Sequence, residues 1–270
     1  MSNETSNIED VIADIQRGSA YKHISPALIQ RIAQKELEKR ATHKEVIRST
    51  RSKLHQVAGA YMDRRVNYEK LKAQMSRLPA DYKHPLIREF CIESMSLHAS
   101  TRERLPVLPE FFNRTLESIQ PISSIIDLGC GLNPLAIPWM PLALDCQYLA
   151  CDIYRDMAEF LEYFFQYSSI NGKSELCDLM SEIPTQHAQL ALLLKTIPCL
   201  EQIDKKVGTR LLEQLNTDHI LVSFPMRSLT GRSKGMRQHY SQHFDDLISR
   251  KDWQVKRYEF QNELAFLLSH

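Results

Sequence analysis

Between Ser25 and Val66 apolar residues recur every three or four positions. Ala27, Leu28, Ile29, Ile32 and Ala33 form one run, and Val46, Ile47, Leu54, Val57, Ala58, Tyr61, Met62 and Val66 form a longer one from Thr42. That period predicts helices with one buried face. Ser25-Pro26 suits the start of the first, with serine as N-cap and proline at the first helical position. Arg48, Arg51, Lys53, Arg64 and Arg65 occupy the polar side of the second, and Gly59 predicts a kink in it. The prolines between Leu78-Pro79 and His84-Pro85 predict a linker. The chain keeps its helical character to about residue 105.

From Ile122 the rhythm changes. Short apolar runs at Ser124 to Leu128, Gln147 to Asp152, Gly172 to Leu176, Leu190 to Leu194 and His219 to Phe224 alternate with helical segments. This is the pattern of a parallel sheet covered on both faces. Two further runs, Trp253 to Phe260 and Glu263 to Leu268, stand two residues apart and predict a terminal hairpin. The expected fold class is therefore α/β: a Rossmann-like, seven-stranded domain over residues 106–270, preceded by a helical domain over 1–105.

Hydrophobic residues make up 43% of the 270 and charged ones 25%, which excludes disordered and fibrous classes. The six cysteines include no CxxC pair, so reduced thiols are expected, with neither a metal site nor a disulfide framework. Neither a signal peptide nor a bilayer-spanning run is visible, and a cytoplasmic location is expected. Charge alters the picture more. The net charge of +1 conceals fifteen Lys or Arg against five Asp or Glu between Arg17 and Arg77, and a surplus of acids elsewhere. A basic helical region attached to an α/β domain predicts a polyanionic partner, of which nucleic acid is the commonest.

The first predicted strand runs into Asp127-Leu128-Gly129-Cys130-Gly131-Leu132-Asn133-Pro134. Gly129 and Gly131 allow a sharp turn and a close approach of an adenosine-type ligand to the backbone. A dinucleotide fingerprint needs a third glycine, but counting from Gly129 that place falls on Pro134, which suits a helix start and offers no N–H to a phosphate. A cofactor without phosphates fits better. Asp152, at the end of the second strand, can accept hydrogen bonds from both ribose hydroxyls, and Asp178, after the third, can hold the adenine amine while Leu179 packs on the ring. Each carboxylate also suits a helix N-cap. Arg104 can receive the carboxylate of a methionine-derived cofactor through two parallel hydrogen bonds, though its segment also suits an ordinary helix start.

His98-Ala99-Ser100-Thr101-Arg102-Glu103-Arg104, the glycine segment, Leu194-Lys195-Thr196-Ile197-Pro198-Cys199-Leu200-Glu201-Gln202 and Ser223-Phe224-Pro225-Met226-Arg227-Ser228-Leu229-Thr230-Gly231-Arg232 together resemble the 16S ribosomal RNA (guanine-N7)-methyltransferases that confer aminoglycoside resistance. The likeness covers most of the chain. It implies S-adenosylmethionine binding through His98, Ser100, Arg104, Gly129, Asp152, Asp178, Leu179, Leu194 and Gln202, with Tyr61 closing over the site. It also implies that Lys195, Arg232 and Glu263 serve target recognition or catalysis, and that the substrate is the decoding-site guanine of the assembled 30S subunit. Nothing in the sequence suggests an extended apolar interface, and a monomer without a bound metal is expected.

Guanine N7 carries a free lone pair, so its methylation needs no general base. The chain has Lys195-Thr196-Ile197-Pro198 where amine methylases often carry an Asn/Asp-Pro-Pro-aromatic turn. Arg227, Arg232, Lys234 and Arg237 form a second cationic segment that can reach an RNA backbone, beside Arg48, Arg51, Lys53, Arg64 and Arg65 in the helical part. Phe224, Tyr240 and Trp253 are read as core in preference to base-stacking groups. Two other classes remain open at this point: a small-molecule methyltransferase, and a non-catalytic RNA-binding protein with a methyltransferase fold.

Overall fold

The computed structural model describes residues 7–39, 42–58, 66–226 and 235–269. Three helices open the chain, α1 (Ile8–Gln16), α2 (Pro26–Leu37) and α3 (His43–Ala58), and they pack on one another. Their apolar stripes meet through Val11, Ile15, Leu28, Ile29, Ile32, Val46 and Leu54, all buried. Pro26 does stand in the first turn of α2, but the Ser25 side chain makes no cap bond. Tertiary pairing fixes this helix start instead. The Ser25 N–H donates to Ile153 O (2.9 Å), the Arg155 N–H donates to His23 O (2.8 Å), and Ile24 pairs with Tyr154 in an antiparallel bridge.

Four helices follow: α4 (Tyr68–Met75), α5 (Pro85–Met95), α6 (Ala99–Arg102) and α7 (Leu108–Leu116). The expected linker is the turn between α4 and α5, where His84 Nδ1 accepts the Leu86 N–H (3.2 Å) and Pro85 opens α5. Beyond it come α8 (Arg155–Tyr167), α9 (Ile197–Leu200), α10 (Val207–Gln214) and α11 (Met236–Ile248). Helix α4 rests on α8, with Tyr68 stacked on Phe160, and α5 rests on the 3-10 turn Asn133–Trp139. The apolar core runs without a break from Val11 through Phe160 to Leu192. Residue 105 thus marks a change of sequence character within a continuous core.

The strands are β1 (Ile122–Leu128), β2 (Leu142–Asp152), β3 (Gly172–Leu176), β4 (Ala188–Leu194), β5 (Thr217–Pro225), β6 (Gln254–Glu259) and β7 (Glu263–Ser269). They form one seven-stranded sheet in the order β3-β2-β1-β4-β5-β7-β6. The first five run parallel, and β7 is antiparallel to both β5 and β6. In β4, Leu190, Leu192 and Leu194 enter one core layer while Ala191 and Leu193 enter the other, because successive side chains alternate across a strand. On the second layer, Phe244 of α11 stacks on Phe266 at 3.8 Å and Tyr240 stacks on the buried Phe224 at 5.0 Å. Strand order reverses between β1 and β4, which opens a crevice at their carboxyl ends. No helix among the described residues is long and apolar enough to cross a membrane.

Candidate active site

A cleft with about 760 Å³ of empty volume, part of it open to solvent, occupies that crevice. Gly129 and Gly131 border it after β1, Asp152 and Ile153 after β2, Cys177 to Met180 after β3, and Leu194 to Thr196 after β4. His98, Ser100 and Leu28 complete the wall from the helical part. Of the residues expected at a cofactor, His98, Ser100, Gly129, Gly131, Asp152, Asp178, Leu179 and Leu194 are therefore brought together.

Both glycines take left-handed backbone conformations, φ +65° at Gly129 and +52° at Gly131. A Cβ on Gly129 would stand 2.7 Å from Thr196 Cγ2, and one on Gly131 would stand 3.1 Å from His98 Nδ1. Their lack of side chains lets β4's exit turn and His98 close upon the loop. Thr196 Oγ1 donates to Leu128 O (2.8 Å) and clamps that contact. The Gly131 N–H in turn donates to Asp152 Oδ2 (2.9 Å), while Asp152 Oδ1 accepts the Ile153 N–H (2.7 Å). Burial pushes the Asp152 carboxyl up from its ordinary value, against these backbone donors. A carboxylate has about four acceptor positions, so the group keeps acceptor capacity beside the cleft. Tyr154 holds the N-cap position of α8, which removes the capping alternative for Asp152.

Asp178 is held differently. Its Oδ2 accepts Arg31 Nε (2.7 Å), and its Oδ1 accepts both Arg31 Nη2 (3.1 Å) and the Met180 N–H (3.1 Å). Arg31 belongs to α2, so a residue from the opening helices reaches a wall of the cleft.

Arg104 and Gln202 lie off the cleft wall. Gln202 is exposed on the turn after α9. Arg104 is 2% exposed and turned away: its Nε and Nη2 donate to Glu263 (2.6 to 3.2 Å), its Nη1 donates to Asn133 Oδ1 (3.0 Å), and Phe111 lies 4.7 Å from the guanidinium. The pairing continues inward, because Asn133 Nδ2 and the Tyr148 hydroxyl both donate to Asp127 Oδ2 (2.8 and 2.6 Å). Burial raises the Asp127 carboxyl to about 6 despite those two bonds. On the other side of Arg104 the network continues through Glu263 to Ser223 and Lys195. Burial pushes the Glu263 carboxyl up, but the Arg104 and Lys195 charges and the Ser223 hydroxyl hold it below its ordinary value.

Lys195 lines the cleft with a backbone φ of +61°, its N–H donating to Ser223 O (3.0 Å). Its Nζ donates to Glu103 Oε2 (2.6 Å) and Ser100 O (3.3 Å) and stands 3.6 Å from Glu263 Oε2. Glu103, Asn133 and Ser223 lie within the segments that carry the resemblance but were not singled out, and Tyr148 and Arg31 had no distinguishing signal in the sequence as site residues. Their contacts join positions far apart in the chain.

On α3, Arg48 is exposed, whereas Arg51 Nη2 donates to Asp14 O (2.8 Å) and Lys53 Nζ pairs with the buried Glu36 (2.6 Å). On α11, Arg237 Nη2 donates to Glu259 Oε1 (2.5 Å), so three of the four described cations expected to face RNA are engaged within the protein. Tyr61, Arg64, Arg65, Arg227, Arg232 and Lys234 lie outside the described residues, as does the expected kink at Gly59.

A sheet of this order with an antiparallel β7, and a cleft walled by a glycine loop and a carboxylate at the end of β2, define a Rossmann-like S-adenosylmethionine-dependent methyltransferase. The glycine cradle, the acceptor capacity of Asp152 and the apolar surfaces of Leu28, Ile153 and Leu179 fit an adenosine group. Comparison with known proteins narrows the class. A family model described as ribosomal RNA methyltransferase (FmrO) matches residues 17–267, and the chain belongs to that family. It is 34% identical over 264 residues to a 16S rRNA (guanine(1405)-N(7))-methyltransferase of Frankia casuarinae, covering 97% of this chain and 93% of the relative. A protein of the same name from Micromonospora echinospora is 32% identical, with 97% and 96% covered. Among solved structures, the 16S rRNA methyltransferase RmtF in complex with S-adenosyl-L-homocysteine superposes with a TM-score of 0.81 at 26% identity, covering 100% of this chain and 99% of that one. The 16S rRNA methylase RmtB gives 0.80 at 25%, with 97% and 98% covered.

Proposed function

We propose that this protein transfers a methyl group from S-adenosylmethionine to N7 of a decoding-site guanine of 16S rRNA in the 30S subunit, and so confers aminoglycoside resistance. The observation that carries the choice of atom is the state of the ionisable groups at the β4 end of the cleft. Glu103 and Glu263 are both paired with Lys195, and Glu263 also with Arg104, so neither is placed as a free base. Attack by N7 requires none.

When bound, the cofactor supplies an electrophilic methyl carbon on a sulfonium. Asp152 then accepts hydrogen bonds from the ribose hydroxyls, Asp178 accepts one from the adenine amine, and Leu179 covers the ring. His98 and Ser100 border the end of the cleft nearest Lys195 and receive the methionine part. Arg104 orients that wall through Glu263 and Asn133, and it reaches a cofactor carboxylate only by exchanging one of those partners. Lys195, presented at the β4 exit, stabilises guanine O6 or a neighbouring phosphate and positions N7 for in-line transfer. Arg232 adds a target contact, Glu263 holds Lys195, Tyr61 closes the cofactor side, and Arg48, Arg64, Arg65, Arg227 and Lys234 meet rRNA phosphates, while Arg51 and Lys53 brace the opening helices through Asp14 and Glu36. In this scheme residues 1–105 dock the subunit and lend Leu28, His98 and Ser100 to the cofactor cleft, 106–270 carry the methyl transfer, and the protein acts as a monomer in the cytoplasm.

The experiment is incubation of the protein with labelled S-adenosylmethionine and 30S subunits, followed by borohydride and aniline cleavage and reverse transcription. A single arrest at a decoding-site guanine is expected. Label without cleavage would move the methyl to another atom, and no label from protein that binds S-adenosylhomocysteine would refute the activity.

A further inference from the structure

The basic opening helices also build part of the cofactor cleft. Leu28 and Arg31 lie three residues apart on α2, hence on one side of the helix, and both face the crevice: Leu28 in its wall, Arg31 on Asp178. Helix α2 is held there by main-chain bonds to Ile153 and Arg155, the residues that follow Asp152. The Arg31–Asp178 pair is bidentate, with side chains 19% and 6% exposed. Such a fork fixes the plane of a carboxylate as well as its charge. Among the described residues the Met180 N–H is the other donor to the Asp178 side chain. The orientation of Asp178 toward the cleft is thus set largely from α2.

Resting on the methyltransferase reading above, we propose that Arg31 is a positioning residue for the cofactor's adenine: acting through Asp178, it selects the 6-amino group and ties cofactor affinity to the placement of the helices α1 to α3. An amine donates to a carboxylate, whereas a 6-oxo group meets it as a second acceptor. A held Asp178 discriminates between the two, and a released one does not. Arg31 is therefore withdrawn from phosphate contact although it belongs to the most basic stretch of the chain. Coupling is reciprocal, so displacement of α2 on the ribosome changes cofactor affinity by the same factor as cofactor changes docking.

The test is calorimetry of the full chain with S-adenosylhomocysteine and with S-inosylhomocysteine, for wild type, Arg31→Met and Arg31→Lys. Wild type is expected to prefer the adenosyl ligand by about 100-fold, because a polar site rejects a ligand that leaves its groups mismatched. Arg31→Met is expected to weaken S-adenosylhomocysteine about tenfold or more and to shrink the preference below about tenfold. Arg31→Lys, which keeps the charge and loses the fork, falls between. Equal weakening of both ligands, with the preference intact, would show a merely structural role and overturn the proposal, as would unchanged binding in Arg31→Met. If Arg31→Met does not fold, Arg31→Lys decides alone: a preference equal to wild type overturns the proposal, and an intermediate one supports it. None of these readouts needs rRNA, so wild-type protein that binds the ligands but fails to methylate 30S would refute the proposed activity and leave this result standing.

Discussion

Gly129→Ala probes the glycine loop most directly. Two separable penalties arise. The first is conformational: at φ +65° an L side chain in the left-handed region costs roughly 1–2 kcal/mol. The second is steric, since the new Cβ would stand 2.7 Å from Thr196 Cγ2, against an optimum of about 3.5–4.0 Å between carbon atoms. Overpacking of this kind typically costs about 1–3 kcal/mol. Thr196 cannot simply rotate away, because its Oγ1 is bonded to Leu128 O at 2.8 Å. The expected loss is about 2–5 kcal/mol in urea unfolding. Thr196→Ser removes the colliding methyl and keeps the hydroxyl, so the double variant should recover most of the roughly 1–3 kcal/mol steric loss and retain the backbone penalty together with a tight 3.1 Å approach of the new Cβ to Oγ1. A double-mutant cycle checks this, with circular dichroism against urea for stability and calorimetry with S-adenosylhomocysteine for the cleft. Gly129→Ala within about 0.5 kcal/mol of wild type, or a strictly additive double variant, would refute the account of the loop.

Asp127, raised to about 6 from 3.8, keeps a proton in the folded state that the unfolded chain releases between those values. Its contribution to stability therefore falls as pH rises from about 4 to about 6, by roughly 3 kcal/mol, and is level above. Asp127→Asn should remove that slope; a wild-type minus variant difference that stays flat over this range contradicts it. Glu263→Ala leaves the Arg104 and Lys195 charges buried without their shared carboxylate and should cost about 3–5 kcal/mol, seen as a lowered midpoint in thermal or urea unfolding. An unchanged midpoint would show that the pair carries no such weight. Arg48→Glu, on the exposed side of α3, should weaken 30S binding and flatten its salt dependence while leaving S-adenosylhomocysteine affinity as in wild type. Equal subunit binding at low salt would remove α3 from the docking face.

The five inner strands were legible because each carries a short apolar run bounded by turn residues, whereas the edge strands β3 and β6 are mostly polar and followed from their place in the alternation. All seven formed, including the hairpin whose two runs flank Gln261 and Asn262. The glycine loop and Asp152 were legible for a related reason: strand ends face the crevice, so a residue's place in the linear pattern already gives its place at the site. Ser25 shows the limit of local signals. It has the right residue type for a cap, yet its backbone is taken by Ile153, which no neighbouring residue announces. Arg104 shows the same from the side of chemistry. A guanidinium near the first strand suits a carboxylate, but whether that carboxylate belongs to a ligand or to Glu263, 159 residues away, depends on how β7 inserts between β5 and β6.

By itself the chain's order of apolar and polar residues determined the α/β class, the strand count, the glycine loop and the division into a basic helical part and a sheet part. These are properties of neighbouring residues, whose spacing dictates which side of a helix or strand is buried. Tertiary structure alone decided the pairing of charges, Arg31 with Asp178, Arg104 with Glu263 and Lys195 with Glu103, and the hydrogen bond of the neutral Tyr148 hydroxyl to Asp127. A buried charge takes whichever opposite group the packing brings within about 3 Å, and most of these partners are separated by about 90 residues or more of chain.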